Sequence, residues 1–271
     1  MPKWLEVQEG DAPVIVSMPH TGIDLLPEME WHLFSSALAR RDTDWHVEKL
    51  YDFVPSLGIT TFRTTMSRTV IDVNRDPSGK SLYPGQATTE LCPTTTFDGD
   101  PLYRPGNNPE TREIGWRRAA FFDPYHKRLA AELMRLRSQH PKVVLFDAHS
   151  IRSIIPRLFE GDLPDFNIGT NSGASCDAAL TAAIEETCNP SGFSHVTNGR
   201  FKGGWTTRHY GKPQSGFHAV QLELACRTYM ADPPSVPWDR WPSPYDEQRA
   251  APVKEVLRRI IDICLEFAST P

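Results

Sequence analysis

The chain has 271 residues, of which 39% are hydrophobic and 23% are charged, and its formal net charge at pH 7 is −5. These values predict a globular protein with a substantial core, and we interpret residues 1–271 as a single domain. The small negative charge gives no electrostatic reason to expect a nucleic-acid or membrane partner.

The cysteines and the N-terminus bear on the cellular compartment. Five cysteines are scattered along the chain, and none lies in a CxxC motif. An odd number of widely spaced cysteines indicates reduced thiols. The first residues, MPKWLEVQEGDAP, lack the apolar run of a secretory signal, and no segment approaches about 18 consecutive apolar residues. We therefore expect a cytoplasmic protein without a transmembrane helix.

The first part of the chain alternates predicted strands and helices. Short apolar runs predict strands at residues 14–18, 60–63 and 69–73. Helical spacing predicts a helix around residues 31–38, opened by Pro27 and Glu28, and another over residues 47–54, capped by Asp42 or Thr43. Residues 77–109 are rich in Pro, Gly and Thr and lack periodicity, which predicts a lid or active-site wall with short strands of its own.

The second part of the chain continues the same alternation. Helices are predicted over residues 110–140 with a bend at Pro124, over 175–187 and over 248–267. Strands are predicted over residues 143–146, with a polar cluster at 147–150 where the strand should end, and over 167–170 and 217–225, with an edge strand from Val196. Buried apolar strands alternating with helices are typical of an α/β fold. We expect a mixed, largely parallel central sheet with helices on both faces.

Two of the predicted strands each deliver a histidine. The segment KVVLFDAHS brings His149 just beyond its apolar run, and PVIVSMPHTG brings His20 just beyond its own. Ligand sites in α/β sheets gather at the carboxyl ends of strands, so these histidines suggest a metal site. With Asp44, near the start of a predicted helix, they form a two-histidine, one-carboxylate set that suits one divalent metal, above all Zn²⁺.

This metal site competes with other interpretations. Each histidine alone is compatible with a hydrogen-bonded structural role. Asp24 competes with Asp44 as the carboxylate ligand. The other histidines that could take part are His46, His126, His195, His209 and His218.

Glu223 is the candidate catalytic residue. It lies in the predicted strand FHAVQLELA, where Gln221 and Glu223 share one face and the apolar residues take the other. A carboxylate beside an activated water is the usual general base for amide hydrolysis. The alternative is a solvent-facing position in an alternating strand.

Asn74, Arg75 and Arg208 are the candidate substrate-binding residues. Arginine binds carboxylates through two parallel hydrogen bonds and therefore suits an acidic substrate. The alternative role for these arginines is surface salt bridging. Nearby, Gly203-Gly204 suggests backbone that passes close to another group. The chain contains no GxGxxG, P-loop or GxSxG motif, which argues against nucleotide-binding and serine-hydrolase functions.

Taken together, these segments resemble the N-formylglutamate amidohydrolase (deformylase) family of histidine degradation. The matching segments, spread from residue 17 to residue 230, are SMPHTG, DTDWHVEKLYDF, SRTVIDVNRDPSGKSLYPGQ, LFDAHSIRS, FKGGWTTRHYG and AVQLELACRTYM. The resemblance implies an α/β fold related to zinc-dependent exopeptidases. It also implies hydrolysis of N-formyl-L-glutamate to formate and L-glutamate.

The resemblance implies roles for individual residues as well. In related zinc carboxypeptidases and acylases, metal ligands come from a His-x-x-Glu motif and a later histidine, a glutamate is catalytic, and an Asn-Arg pair binds the substrate carboxylate. Here Asn74-Arg75, His149 and Glu223 match that pattern. The motif glutamate is replaced by Ile23, which cannot bind a metal, and Asp44 is the expected substitute.

Two other functions are weighed against this one. A related metal-dependent deacylase or carboxypeptidase would act on another acidic N-acyl amino acid. A binding protein of the same fold would have lost its metal, which the presence of His20, Asp44, His149 and Glu223 argues against. In the enzymatic interpretations the expected partner is a small acidic N-acyl amino acid, and the pattern predicts no oligomeric state.

Overall fold

The strands form one mixed sheet in the computed structural model, which describes residues 2–270. In chain order they are β1 (Leu5–Gln8), β2 (Val14–Met18), β3 (Thr60–Thr64), β4 (Val143–Ile151), β5 (Phe166–Gly169), β6 (His195–Thr197) and β7 (Phe217–Ala225). Their order across the sheet is β1-β3-β2-β4-β7-β5-β6. The central strands β3, β2, β4 and β7 run parallel, whereas β1 and β5 are antiparallel to their neighbours β3 and β7. The predicted α/β fold with a largely parallel sheet is confirmed.

Seven α-helices connect these strands within residues 2–270. They are α1 (Ser36–Ala39), α2 (Val47–Leu50), α3 (Thr111–Arg117), α4 (Asp123–Arg137), α5 (Ala178–Cys188), α6 (Trp205–Tyr210) and α7 (Glu247–Ser269). Single turns of 3₁₀-helix occur at Pro27–Trp31, Val54–Leu57, Asn189–Ser191, Pro213–Ser215, Cys226–Thr228 and Trp238–Arg240. Among these described residues, no helix is both long and apolar enough to cross a bilayer.

The two larger of three apolar clusters lie on opposite faces of the sheet, because side chains alternate along each strand. Val14 and Val16 of β2 belong to the cluster that α5 and α7 cover, and Ile15 belongs to the cluster that α4 covers. On the α4 face, β4 changes from apolar Val143 and Leu145 to polar residues in its second half. The polar site therefore begins where this core cluster ends.

The predicted strand at residues 69–73 is wrong. This segment follows a turn in which Val70 N donates to Ser67 O, and Asp72 N donates to Leu91 O instead of to a sheet neighbour. Its apolar residues are nevertheless buried in the core. The apolar run therefore predicted burial correctly, but it did not show whether the segment pairs with another strand.

The helices around residues 27–54 are shorter than predicted. The first is split into a 3₁₀ turn at Pro27–Trp31 and α1. The second is α2, and its N-cap position is His46, in the left-handed conformation with φ 63°, so the predicted cap at Asp42 or Thr43 is wrong. Asp42 instead accepts a hydrogen bond from Phe97 N and pairs with Arg152.

The long helix predicted over residues 110–140 is interrupted. A π-helical turn at Arg118–Phe122 separates α3 from α4. Pro124 follows it within the first turn of α4, and its missing N–H leaves the preceding helical turn without one hydrogen bond. The interruption therefore lies just before the residue at which the bend was predicted.

Candidate active site

The two histidines lie at the carboxyl end of the parallel strands. His20 follows β2 after Pro19, and His149 lies in the second half of β4, the strand next to β2. Asp44 comes from the loop before α2, and its backbone N–H donates to His20 O at 3.0 Å. This hydrogen bond fixes the loop against the end of β2 and brings the three residues together.

His20, Asp44 and His149 form a buried group that could hold a metal ion, with one ligand atom from each within 4.8 Å of the others. Asp44 Oδ2 lies 3.0 Å from His149 Nδ1 and 3.7 Å from His20 Nδ1. His20 Nδ1 is buried and has no hydrogen-bond partner among the described residues. A buried nitrogen without a partner is unfavourable unless a ligand satisfies it, which fits a cation at this point.

A second carboxylate supports each imidazole from behind. His20 Nε2 donates to Asp72 Oδ1 at 2.7 Å, and His149 Nε2 donates to Asp147 Oδ2 at 2.9 Å. With the proton on Nε2, each ring presents the lone pair of Nδ1 towards Asp44. Metal-binding histidines are commonly oriented in this way by outer carboxylates, which also make the imidazole a stronger ligand.

The electrostatics keep Asp44 and Asp72 ionised. Burial alone would raise the pKa of Asp44, but the neighbouring imidazoles of His149 and His20 outweigh it and lower that pKa. The pKa of Asp72 is held well below its usual value against burial by His20 and by Arg68, whose Nη2 lies 2.7 Å from Asp72 Oδ2. The group therefore offers a cation the ionised carboxylate of Asp44 at neutral pH.

Glu223 faces the metal-binding group from the neighbouring strand. It is paired with His149 in the β4–β7 register and is 8% exposed, which rules out the solvent-facing alternative. Gln221 Nε2 donates to Glu223 Oε2 at 3.3 Å. Burial raises the pKa of Glu223 to about 8, and a cation held by the neighbouring group would favour its ionised form.

A cavity joins this group to the protein surface. His20, His149 and Glu223 line it together with three arginines, Arg68, Arg75 and Arg200. Residues 77–109 contribute Tyr83, Thr89 and Phe97 to its lining. This loop thus forms a wall of the cavity, as predicted. The short strands predicted within it are absent from the described residues, where its backbone forms only isolated β-bridges. The arrangement combines a metal-binding group, a buried carboxylate and cationic side chains.

Comparison with known families gives the assignment. The family model described as N-formylglutamate amidohydrolase matches residues 12–230. The chain belongs to the N-formylglutamate amidohydrolase family. It is 47% identical to the N-formylglutamate deformylase of Pseudomonas aeruginosa over 98% of both chains. It is 45% identical to the N-formylglutamate deformylase of Pseudomonas putida, over 99% of this chain and 98% of that one.

A solved structure supports the same fold. The crystal structure of N-formylglutamate amidohydrolase from Ralstonia eutropha JMP134 superposes with a TM-score of 0.76, covering 97% of this chain and 96% of that chain. The two sequences are 21% identical, so this likeness concerns the fold. The predicted membership of the N-formylglutamate amidohydrolase family is confirmed.

Of the three predicted substrate-binding residues, two line the cavity and one does not. Asn74 and Arg75 line the cavity. Both ends of the Asn74 amide are engaged, since Nδ2 donates to Asp147 Oδ2 at 3.1 Å and Oδ1 accepts from Thr206 N at 2.8 Å. Arg208 is not among the cavity-lining residues; its Nε donates to Gly203 O at 2.9 Å, and its guanidinium lies 4.8 Å from the centre of the Tyr83 ring.

The residues that competed for the metal lie elsewhere among the described residues. Asp24 is exposed, and its backbone forms a bridge with Met66. His126 is buried, but its nitrogens contact Val73 O and the Tyr210 hydroxyl. None of the five competing histidines belongs to the metal-binding group, which consists of His20, Asp44 and His149.

Sequence reasoning missed several residues of this site. Asp147 could have been found, because it lies two residues before His149 and therefore on the same face of β4. Asp72 was hidden in the segment predicted as a strand. Arg200 gave no signal in the sequence, and it enters the cavity only through the path of the chain before α6.

Gly204 explains the predicted close approach of the backbone. A Cβ at this position would lie 2.5 Å from Asn74 Nδ2 and Oδ1. Gly204 N also donates to Gln221 Oε1 at 2.7 Å. The glycine therefore lets the chain pass beside an amide that orients Asp147, which in turn orients His149.

Gly204→Ala should lower kcat/KM by about 10²-fold, because a displacement of about 1 Å at a catalytic constellation has an effect of this size. The added methyl group must displace Asn74 and so disturb the support of His149. Steady-state kinetics with metal content and melting temperature would measure this. Gly115→Ala is the matched control, since a Cβ there meets nothing within 4 Å. Equal activity of both variants and the wild type would contradict the role of Gly204.

Proposed function

We propose that this chain is a metal-dependent amide hydrolase that cleaves N-formyl-L-glutamate to formate and L-glutamate. The observation that carries the proposal is the buried group of His20, Asp44 and His149 beside Glu223 in a cavity lined by arginines. The names of the curated relatives, both N-formylglutamate deformylases at 45% identity or more, support the choice of substrate.

We assign the metal-binding group to one Zn²⁺ ion. Two imidazole nitrogens and one carboxylate oxygen are a ligand set of catalytic zinc sites, which keep a further position for water or substrate. Such an ion supplies a Lewis acid that makes water more acidic and polarises a carbonyl group. The His20 Nδ1 and His149 Nδ1 atoms, with their Nε2 protons held by carboxylates, are oriented for this ligation.

Glu223 moves the proton in this proposal. It accepts a proton from the attacking water as the water oxygen bonds to the formyl carbon. The carbon–nitrogen bond then breaks, and Glu223 delivers the proton to the departing glutamate nitrogen, because an amine anion is too poor a leaving group. The position of Glu223 on β7, opposite His149, supports both transfers.

Arg75 binds the α-carboxylate of the substrate. Its Nε and Nη2 donate to Thr89 O and Thr89 Oγ1, both at 3.1 Å, which fixes the guanidinium at the cavity. Its Nε also lies 3.6 Å from Asp72 Oδ2, and Asp72 holds His20, so Arg75 is close to the metal-binding group. The α-carboxylate is the substrate carboxylate nearer to the scissile amide. Asn74 Nδ2 lies 3.1 Å from Asp147 Oδ2 and 3.0 Å from His149 Nε2, so Asn74 positions this end of the site and stays a proposed substrate-binding residue.

Arg75→Ala should raise KM sharply and lower kcat, since the same contact binds the substrate and positions the amide. Losing a charge-assisted pair should cost about 2–5 kcal/mol of transition-state binding. Kinetics with N-formyl-L-glutamate and with its α-amide, N-formyl-isoglutamine, would measure this. The wild type should prefer the free acid and the variant should lose that preference. A preference retained in full would exclude this role.

The proposed activity itself is tested by product release from three substrates. The metal-loaded protein should release formate from N-formyl-L-glutamate much faster than it releases acetate or succinate from the corresponding N-acyl glutamates. A preference for another acyl group would support the related deacylase instead. Substrate binding without turnover by the metal-loaded protein would support a binding protein.

A further inference from the structure

Arg200 is the cavity-lining arginine that lacks an acidic partner. Arg68 pairs with Asp72 at 2.7 Å, and Arg75 lies 3.6 Å from the same carboxylate. Within residues 2–270, no carboxylate lies within 4.0 Å of the Arg200 guanidinium, although the side chain is partly buried. A partly buried cation without a counter-charge is unfavourable, and a bound anion would relieve it.

The Arg200 side chain is nevertheless held in one orientation. Its Nε donates to Leu158 O at 2.7 Å, and its Nη2 donates to Ala87 O at 2.9 Å. The guanidinium also lies over the rings of Tyr83 and Phe201, at 5.3 and 5.2 Å from their centres. Because these partners are neutral, they fix the group in place and leave its positive charge unbalanced.

The charge of Arg200 interacts with other charged and polar groups that line the cavity. Burial lowers its pKa, the nearby positive charge of Arg75 lowers it further, and the Tyr83 and Glu223 groups oppose that change. The two arginines therefore face one cavity and repel each other across it. Asp72 lies near Arg75 but is shared with Arg68 and His20. A ligand with two carboxylates would supply an anion to each of the two arginines, whereas a ligand with one would supply only one of them.

We propose that Arg200 binds the γ-carboxylate of the substrate and is the residue that selects an acidic side chain. This inference rests on the proposed function, in which Arg75 takes the α-carboxylate. The backbone partners of Arg200, Ala87 and Leu158, belong neither to the metal-binding group nor to its outer carboxylates. Arg200 is thus held by backbone outside the metal-binding group, in the cavity that this group shares. We therefore assign it to the end of the glutamate side chain.

The consequence is discrimination between an acid and an amide of the same shape. N-formyl-L-glutamine differs from N-formyl-L-glutamate only at the γ-position, where a carboxamide replaces the carboxylate. Its NH₂ group would face a guanidinium that has only donors, and the cation would stay unpaired. We expect the wild-type protein to prefer the glutamate derivative by about 10²-fold or more in kcat/KM.

The test compares kcat/KM for these two substrates across a set of variants. Arg200→Ala should reduce the glutamate-to-glutamine preference to within about tenfold, mainly by weakening the reaction with the glutamate derivative. Arg200→Lys keeps a positive charge and should retain an intermediate preference. Arg208→Ala is the matched control, because Arg208 also lies over Tyr83 but does not line the cavity. Whatever its effect on both rates, this control should keep the wild-type preference.

The outcomes separate this inference from the proposed function. If the wild type releases formate from N-formyl-L-glutamate and Arg200→Ala keeps the wild-type preference, Arg200 does not bind the γ-carboxylate and the proposed function stands. An equal loss of preference in Arg208→Ala would also overturn the inference, because support of Tyr83 would then explain it. If Arg200→Ala does not fold, the Arg200→Lys variant decides. Lysine differs from arginine in length and in the geometry of its donors, so a wild-type preference together with a wild-type KM in this variant would count against the assignment. A wild-type protein inactive on N-formyl-L-glutamate would overturn both.

Discussion

His149→Ala should leave the protein without a tightly bound metal ion and without hydrolytic activity. His149 Nδ1 is the nitrogen closest to Asp44 Oδ2, at 3.0 Å, and the alanine removes one of the proposed ligands. Elemental analysis of the purified wild type should give about one zinc ion per chain. Chelation of the wild type should abolish formate release, and added zinc should restore it, whereas neither treatment should affect the variant. Full activity in a demonstrably metal-free wild type would end the metal-dependent proposal.

His149 is buried in a central strand, so the alanine variant alone does not distinguish loss of a ligand from loss of structure. A pair of carboxylate variants makes that distinction. Asp44→Asn keeps the size of the side chain and removes its charge, and it should also lose the metal. Asp24→Asn makes the same chemical change at an exposed position and should keep it. Added zinc should raise the melting temperature of the wild type and of the Asp24 variant only, since a ligand stabilises the state that binds it. The opposite result for the two aspartates would show that the carboxylate ligand is misassigned.

The positions of the two histidines could be predicted because they depend on the geometry of the sheet. An apolar run rich in β-branched residues marks a buried strand, and the strand over Phe217–Ala225 was predicted with its observed bounds. Once β2 and β4 are parallel neighbours, the polar residues at their carboxyl ends must lie close together. His20 and His149 follow from that rule without knowledge of the loops. The position of Asp44 beside them depended on a loop and was predicted only as an approximate neighbour of the sheet end.

Other parts could not be predicted because they depend on the paths of irregular segments. Arg200 and Arg208 lie eight residues apart in the sequence, but the irregular segment 201–204 and helix α6 lie between them, and only Arg200 lines the cavity. The sequence analysis named Arg208, the last residue of the WTTR segment, as a cation for an acidic substrate and did not name Arg200. In the same way, apolar residues near Asp72 indicated burial, and only the tertiary structure shows that this burial belongs to a turn.

Glu223→Gln should lower kcat by roughly 10²–10⁴-fold, the usual contribution of a positioned acid–base group. Glutamine keeps the shape of the side chain and cannot accept the proton of the attacking water. The hydrogen bond from Gln221 Nε2 can be kept, because the glutamine variant retains a carbonyl oxygen that accepts it. Metal content and melting temperature should therefore change little. The expected result is a folded, metal-loaded protein that binds substrate and turns it over slowly.

The competing explanation for Glu223 is a structural ion pair with an arginine such as Arg208. No ion pair joins Glu223 to an arginine among residues 2–270, and Arg208 is directed to Gly203 O. If Glu223 nevertheless acted only through such a pair, the glutamine variant would lose stability or substrate affinity while kcat at saturating substrate stayed near the wild-type value. Measuring kcat, KM, zinc content and melting temperature on this one variant distinguishes the two roles. A wild-type kcat with full metal content would remove Glu223 from the proposed proton transfer.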